Sequence, residues 1–455
     1  MNRLICIWAA LALLVTAAPE ALALDGSWRG ELTLGRTSLP LVFNFSETES
    51  GETRCTLDSP AQGAKGIQTQ VTYCSADSIS LTVSSIGASY AGTVTPGSIK
   101  GRFSQRGYEF PLDLTPDAPE ASEAERRPQT PAPPFPYTAT DTAFTARDGA
   151  VMSATLTIPL DADSRKIPAV VMVTGSGPQN RDEELFGHRP FAVIADYLAR
   201  RGIATLRYDD RGTGRSGGDF ATATTSTFRD DAAAGIDFLR SVGCIGPTGV
   251  LGHSEGGTVA FMLAADGKAD FVVSLAGMAL PGRETIMRQN RRSLAMSGLS
   301  EADMYNSLRM IELIFDAIAE QSGRGETAPV DIDALAAREG VSVPAVIMPQ
   351  LRQVDRIRSP WFDAFLALDP RVYLAKVRCP VLALNGDKDT QVSPDNLEVI
   401  RGLVPHAEVM PMPGLNHMMQ HAATGEVAEY ATISETISPD VLDAVARFIA
   451  AAASE

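Results

Sequence analysis

Residues 252–256 read Gly252-His253-Ser254-Glu255-Gly256, directly after the apolar pair Val250-Leu251. A strand that turns at once into a helix must strain its central residue, and small flanking residues let the two elements approach each other. Gly257 to Leu263 is apolar and compatible with a helix, so the strand–turn–helix setting of the motif is present. Ser254 is therefore expected to stand exposed at a strand end, with the backbone N–H of Glu255 pointing the same way. A chance pentapeptide would not bring both flanks with it.

A serine hydroxyl is a weak nucleophile until a base takes its proton, and the base needs an orienting acid. Both partners follow in the chain. Cys379 to Gly386 is a buried-strand pattern ending in a glycine turn, and Asp387 and Asp389 come next. Ala407 to Gly414 leads into Leu415-Asn416-His417. The chain has five histidines. His188 precedes the serine, and His406 precedes the last strand. His253 lies inside the turn, with its ring expected to point away from Ser254. His421 is expected on a surface one helical turn further on. That leaves His417 as the base. Asp387 and Asp389 compete for the acid position, and the loser is a turn residue that hydrogen-bonds its own loop.

Acyl transfer also needs donors aimed at the developing oxyanion. One is the Glu255 N–H. The second is expected from the loop Thr174 to Asp182, which follows the apolar strand Ile167 to Val173. Its glycines flank Ser176 and leave room for a backbone amide to face a ligand. Ser176 is the expected donor, with Gly177 as the neighbouring choice.

With these residues in place, the chain resembles a two-domain bacterial carboxylesterase of the α/β-hydrolase superfamily. The matching stretches are GSGPQNRDE (175–183), YDDRGTGRSGG (208–218), SPWFDAFLALDP (359–370) and PGLNHMMQ (413–420). The likeness is strong over about 130–455 and weaker over 25–115. It implies an α/β-hydrolase sheet, mostly parallel, behind a small all-β domain. It also implies hydrolysis of short-chain carboxylic esters without metal or organic cofactor. The acid in such enzymes has the spacing Gly386-x-x-Asp389, which favours Asp389 over Asp387. The oxyanion loop departs from the family's commoner His-Gly start, reading Thr174-Gly175.

Gly212-x-Gly214-x-x-Gly217 matches a dinucleotide fingerprint by letter, but that fingerprint needs a helix opening at the glycines. Gly218 to Thr227 has no helical apolar period. The stretch is expected to be a loop bordering the site.

The remaining organisation follows from length and composition. A chain of 455 residues points to two domains, and 44% hydrophobic residues supply a sizeable core. A net charge of −16 argues against nucleic acid and anionic membrane surfaces as partners, leaving a small-molecule ester. Residues 1–23 read as a signal peptide, with Arg3, an apolar run from Leu4 to Ala18, and Ala21-Leu22-Ala23. The run is shorter than a bilayer span and does not recur, so an exported protein, periplasmic or secreted, is expected, with no membrane span in the mature chain. Cys6 lies within that run. Cys55 and Cys74 share the front domain and are expected to bridge in an oxidising compartment. Cys244 and Cys379 read as buried, inert thiols.

Residues 25–115 alternate like short strands, as in Trp28–Leu34, Leu39–Phe45, Ile79–Val83 and Tyr90–Val94, predicting a small barrel or sandwich. Residues 116–137, rich in Pro, Ala and Glu, read as a semi-rigid linker. Residues 138–455 then alternate strand and helix. Between 278 and 370 helical periods replace strands, predicting a helical cap over the strand ends. Trp361 and Phe362 close that insertion and are expected to line the substrate pocket, although plain helix packing accounts for them equally well.

Three function classes are consistent with this reading: a carboxylesterase, a serine peptidase like the prolyl-peptidase group, and a non-catalytic hydrolase scaffold. The intact Ser-Asp-His order argues against the last. The small front domain is a poor match for the large propeller typical of the prolyl peptidases. Acyl transfer to an acceptor other than water shares the chemistry up to the acyl-enzyme.

Overall fold

The computed structural model describes residues 24–454, apart from short stretches at 35–36, 48–52, 60–63, 76, 84–85, 96, 106–107, 118–126, 163–165 and 355–357. The expected signal segment, with Cys6, lies outside the described residues, as does part of the expected linker. The chain divides into two compact units between Glu123 and Ala124.

The first unit is an antiparallel meander. Its strands are β1 (Gly26–Leu34), β2 (Thr37–Glu47), β3 (Thr53–Ser59), β4 (Ala64–Cys74), β5 (Ser78–Val83), β6 (Ala88–Thr95), β7 (Ser98–Gln105), β8 (Tyr108–Pro111) and β9 (Thr115–Pro116). Each strand from β1 to β8 pairs with the next, and β9 returns to pair with β1. A bridge between Ile99 and Leu114 brings the segment before β9 back onto β7, curling the sheet around one core. The period-2 pattern is clearest in β5, where Ile79, Leu81 and Val83 point inward. Phe43, Leu57, Tyr90 and Phe103 complete that core.

The expected Cys55–Cys74 bridge is overturned, since both thiols are free. Cys55 is buried opposite Thr69, whereas Cys74 is exposed and pairs with Ile79 of β5. Thr69 and Cys74 are five residues apart along β4, on the order of 16 Å, beyond what a disulfide spans.

The second unit holds an eight-stranded sheet in the order β10-β11-β13-β12-β14-β15-β16-β17. These strands are β10 (Tyr137–Thr145), β11 (Val151–Pro159), β12 (Ile167–Val173), β13 (Ala204–Tyr208), β14 (Ile245–His253), β15 (Val272–Leu275), β16 (Val381–Gly386) and β17 (Glu408–Met412). The β10/β11 and β11/β13 pairs are antiparallel and the rest are parallel. Parallel strands are covered on both faces and read as unbroken apolar runs. In β12, Ala169, Val171 and Val173 enter one core, while Val170 and Met172 enter the other.

Helices α1 (Pro190–Ala199), α2 (Thr225–Ser241) and α3 (Glu255–Ala265) connect the first strands, and α10 (Asp395–Leu403) and α11 (Pro439–Ala452) the last. Between β15 and β16 the chain runs through α4 (Gly282–Met296), α5 (Glu301–Gly323), α6 (Ile332–Glu339), α7 (Met348–Leu351), α8 (Pro360–Ala367) and α9 (Arg371–Leu374). Helix α8 starts where its sequence says it should: Ser359 Oγ accepts the Phe362 N–H at 3.1 Å, and Pro360 occupies the first turn.

Part of the expected linker is not a free spacer. The Arg127 guanidinium donates to the carbonyls of Phe186, Ala431 and Ile433. Gln129 likewise bonds the backbone at Thr436 and Ile437. Composition shows that a segment lacks a period; it does not show which carbonyls its polar side chains will find.

Candidate active site

The turn after β14 is built as its glycines require. Ser254 has φ 52° and ψ −118°, a conformation that side-chain-bearing residues rarely adopt. A Cβ on Gly252 would overlap the Gly256 carbonyl, and one on Gly256 would overlap the carbonyls of Val173 and Thr174. Only glycine lets α3 approach β14 and β12 this closely. The Ser254 N–H donates to the Leu275 carbonyl of β15 at 2.9 Å, fixing the turn to the sheet.

The segment after β16 carries Asp389 and the one after β17 carries His417, with Asp389 Oδ2 and His417 Nδ1 2.8 Å apart. Both residues are buried. Asp389 Oδ1 accepts the N–H groups of Gln391 and Val392, each at 2.8 Å, and Oδ2 also accepts from Asn385 Nδ2 at 3.2 Å. A carboxylate held at both oxygens presents one geometry to its histidine. It also sets the tautomer: Nδ1 donates, leaving the Nε2 lone pair free. Asp387 does something else. Its Oδ1 accepts the Gly414 N–H at 2.7 Å, tying the acid loop to the histidine loop.

Behind His417, Asn416 and Gln420 bond each other through side chains and backbone, holding Met419 at φ 59°. Ser254 and His417 line one cavity of about 270 Å³. Its walls include Gly175, Ser176 and Glu183 from the loop after β12, and Ile286, Gln289, Trp361 and Phe365 from α4 and α8.

Ser176 lies in this wall, and its Oγ donates to Glu255 Oε2 at 2.7 Å. The Glu255 N–H is in the first turn of α3, where amides have no intrahelical acceptor. The Glu255 side chain, not singled out in the sequence, is a junction: Thr225 Oγ1 donates to it at 2.6 Å and Trp361 Nε1 at 2.9 and 3.0 Å. Burial raises its pKa above the ordinary carboxyl value, outweighing these three hydrogen bonds. The Gly175 N–H is already engaged by Glu183 Oε1 at 2.7 Å, and Gly177, at φ 101°, is not among the residues lining the cavity.

Phe362 is corrected. It is buried in the core of the insertion, edge-on to Phe315, and faces a second, apolar cavity of about 250 Å³. Trp361 and Phe365, four residues apart on one helix face with centroids 4.9 Å apart, line the Ser254 cavity instead. Adjacent helical residues point about 100° apart, and here that turns Phe362 toward the core of the insertion while Trp361 reaches the Ser254 cavity.

His253 is corrected too. Its ring lines the cavity beside Ser254, with Nδ1 on Glu183 Oε1 at 2.9 Å and Nε2 on the His417 carbonyl at 3.0 Å. The signal for Glu183 was its place in the GSGPQNRDE stretch. The other histidines are structural. His188 bonds Thr436 and the Tyr430 carbonyl, His406 bonds the Cys379 carbonyl, and exposed His421 bonds Glu435.

The 208–218 stretch borders the loop rather than the cavity. Buried Asp210 accepts from Thr174 Oγ1 at 2.9 Å and from the Gln179 N–H at 2.9 Å, bracing the Ser176 loop. No helix opens at its glycines; a short 3₁₀ turn, Phe220–Thr222, precedes α2. Among the described residues no group of His, Cys, Asp and Glu is arranged to hold a metal, and no helix is long and apolar enough to cross a membrane.

The sheet order, the strained serine at the end of β14 and the His–Asp pair beyond β16 and β17 define a serine hydrolase of the α/β-hydrolase class. The family model of the X-Pro dipeptidyl-peptidase (S15 family) matches residues 148–417, more than half of the chain, and the chain belongs to that family. Esterase EstD of Thermotoga maritima is 26% identical over 280 residues, covering 61% of this chain and 60% of that relative. The chain thus spans less than two thirds of that relative's length. Among solved structures, Est1E from Butyrivibrio proteoclasticus with bound ferulic acid is similar over 69% of this chain and 100% of its own, at 17% identity and TM-score 0.43. The Pyrococcus furiosus esterase Pf2001 is similar over 69% and 91%, at 16% identity and TM-score 0.44.

Proposed function

We propose that the protein is a serine carboxylesterase acting on short-chain carboxylic esters through an acyl-enzyme. The observation that supports this most is that His417, 2.8 Å from Asp389, lines one cavity with the strained Ser254. Ser254 Oγ attacks the ester carbonyl carbon as His417 Nε2 takes its proton, and Asp389 stabilises the imidazolium that forms. The N–H groups of Glu255 and Ser176 receive the oxyanion. When the tetrahedral intermediate collapses, the C–O bond to the alcohol breaks and His417 returns the proton to the leaving oxygen. A water activated by His417 then repeats the sequence and frees the acid and Ser254.

Family membership raises the peptidase reading, and the cavity weighs against it. Capturing a substrate's terminal amine takes a carboxylate with capacity to spare. The acidic side chains nearest Ser254 are committed: Glu183 to His253 and Gly175, Glu255 to Ser176, Thr225 and Trp361. The cavity of about 270 Å³ suits a small acyl group. Export in the manner of a signal-bearing protein is part of the same proposal.

The test pairs p-nitrophenyl esters with a dipeptidyl-proline anilide. Ester turnover that disappears in Ser254→Ala, with fluorophosphonate labelling of Ser254 in the native protein, is the expected result. Faster cleavage of the anilide would transfer the proposal to the peptidase, and labelling elsewhere would end the triad assignment.

A further inference from the structure

Glu183 and His253 stand outside the triad but inside its wall, 4% and 6% exposed. The protonation of His253 can be read from its neighbours. Nε2 faces a backbone carbonyl, which only accepts, so that nitrogen carries a hydrogen. Nδ1 faces Glu183 Oε1, an oxygen that also accepts the Gly175 N–H. An acceptor at each ring nitrogen is matched by the one histidine form that donates from both, the imidazolium.

The surroundings agree. Besides Glu183, Asp389 acts on His253 from beyond His417, whose ring lies 4.7 Å away centroid to centroid. A further buried acid, Asp210, feels the charges of both Glu183 and Glu255. Burial opposes charge on His253, but the Glu183 charge and hydrogen bond and the His417 carbonyl outweigh it and raise its pKa above the ordinary histidine value. Glu183 itself is held at φ 51°, in the left-handed region, its N–H on the Asn180 carbonyl at 2.8 Å. Such a conformation persists only where the surroundings over-determine it.

We propose that Glu183 and His253 form an ion pair in which His253 is a positioning residue joining the three loops of the site. The imidazolium holds the His417 loop through its carbonyl. The carboxylate holds the start of the Ser176 loop through the Gly175 N–H. The link to the Ser254 turn is the peptide bond between residues 253 and 254. The catalytic half of this proposal rests on Ser254 and His417 being nucleophile and base; the ion pair does not.

Protein labelled with ¹⁵N-histidine separates the two halves. In the native protein one ring is expected to keep both nitrogens protonated above the pH at which free histidine loses its charge. In Glu183→Gln that ring should titrate, which also assigns it. In His253→Gln, kcat should fall by up to about a hundredfold with KM little changed, as for a misplaced base. A neutral His253 ring in the native protein would overturn the ion pair. Unaltered kcat in both variants, or a fall in kcat matched by an equal rise in KM, would overturn the positioning role. Loss of fluorophosphonate labelling at Ser254 in the native protein would instead mark failure of the triad assignment, with the NMR result standing on its own.

Discussion

Trp361 donates its indole N–H to both carboxylate oxygens of Glu255, the residue that follows Ser254, at 2.9 and 3.0 Å. One bond thereby ties α8 of the helical insertion to the first turn of α3. Trp361→Phe keeps the ring against Phe365 and removes the donor. It should cost about 1–3 kcal/mol of stability, the range for a hydrogen bond to a charged group or an acceptor left unmatched, and lower ester turnover several-fold. Denaturant unfolding alongside steady-state kinetics measures both, and a variant indistinguishable from native on each count would show that the bond contributes nothing.

Glu255 predicts a pH dependence of stability. Its carboxyl is raised by burial, so the folded state holds the proton more tightly than the unfolded chain does. Its contribution is therefore complete below the unfolded carboxyl pKa and is lost as pH rises through the folded value. Glu255→Gln cannot ionise. Its unfolding midpoint should change less with pH across that window and exceed the native one at the upper end. Parallel pH slopes for the two proteins would refute this.

The two aspartates should separate cleanly. Asp389→Asn removes the charge facing His417 Nδ1 and should lower kcat about a thousandfold or more. Asp387→Asn retains an acceptor for the Gly414 N–H and should cost less than about tenfold. Kinetics on the same ester decides, and the reverse ranking would move the acid role to Asp387.

Ile286 lines both the Ser254 cavity and the apolar cavity of the insertion. The native enzyme should favour acyl chains from about acetyl to butyryl and decline steeply by octanoyl, because a surplus methylene in a bounded pocket forces strain. Ile286→Ala should open the partition and shift the optimum to longer chains. The readout is kcat/KM along an acyl series; an unchanged ratio of octanoyl to butyryl would count against the partition.

The cysteines give a test independent of activity. Burial, aided by Asp58, pushes the Cys55 thiol up to about 12, whereas Cys74 is exposed. Thiolate is the reactive form. A maleimide at neutral pH should label Cys74 and leave Cys55 untouched until the protein unfolds. Mass mapping that found the two joined would contradict the register of β3 and β4.

What was legible in the sequence was local. The turn around Ser254 is written in five consecutive residues, because the glycine at 252 answers a steric condition within the turn, the approach of the Gly256 carbonyl, while the one at 256 admits the strand before the Ser176 loop. The parallel sheet was legible for a similar reason: strands covered on both faces read as near-continuous apolar runs, as β12 does. His417 followed from its place after the last strand.

Tertiary structure decided whatever depends on where distant segments meet. Glu183 and His253 are 70 residues apart, and no spacing rule connects them. The separation of Cys55 from Cys74 is a matter of strand register, and the exclusion of Phe362 from the cavity is a matter of helix phase. Asp387 and Asp389 have the same chemistry two positions apart. One meets the Gly414 amide and the other the His417 ring because the loops after β16 and β17 pack in one particular way. Side-chain identity limits which bonds are possible, and packing selects among them.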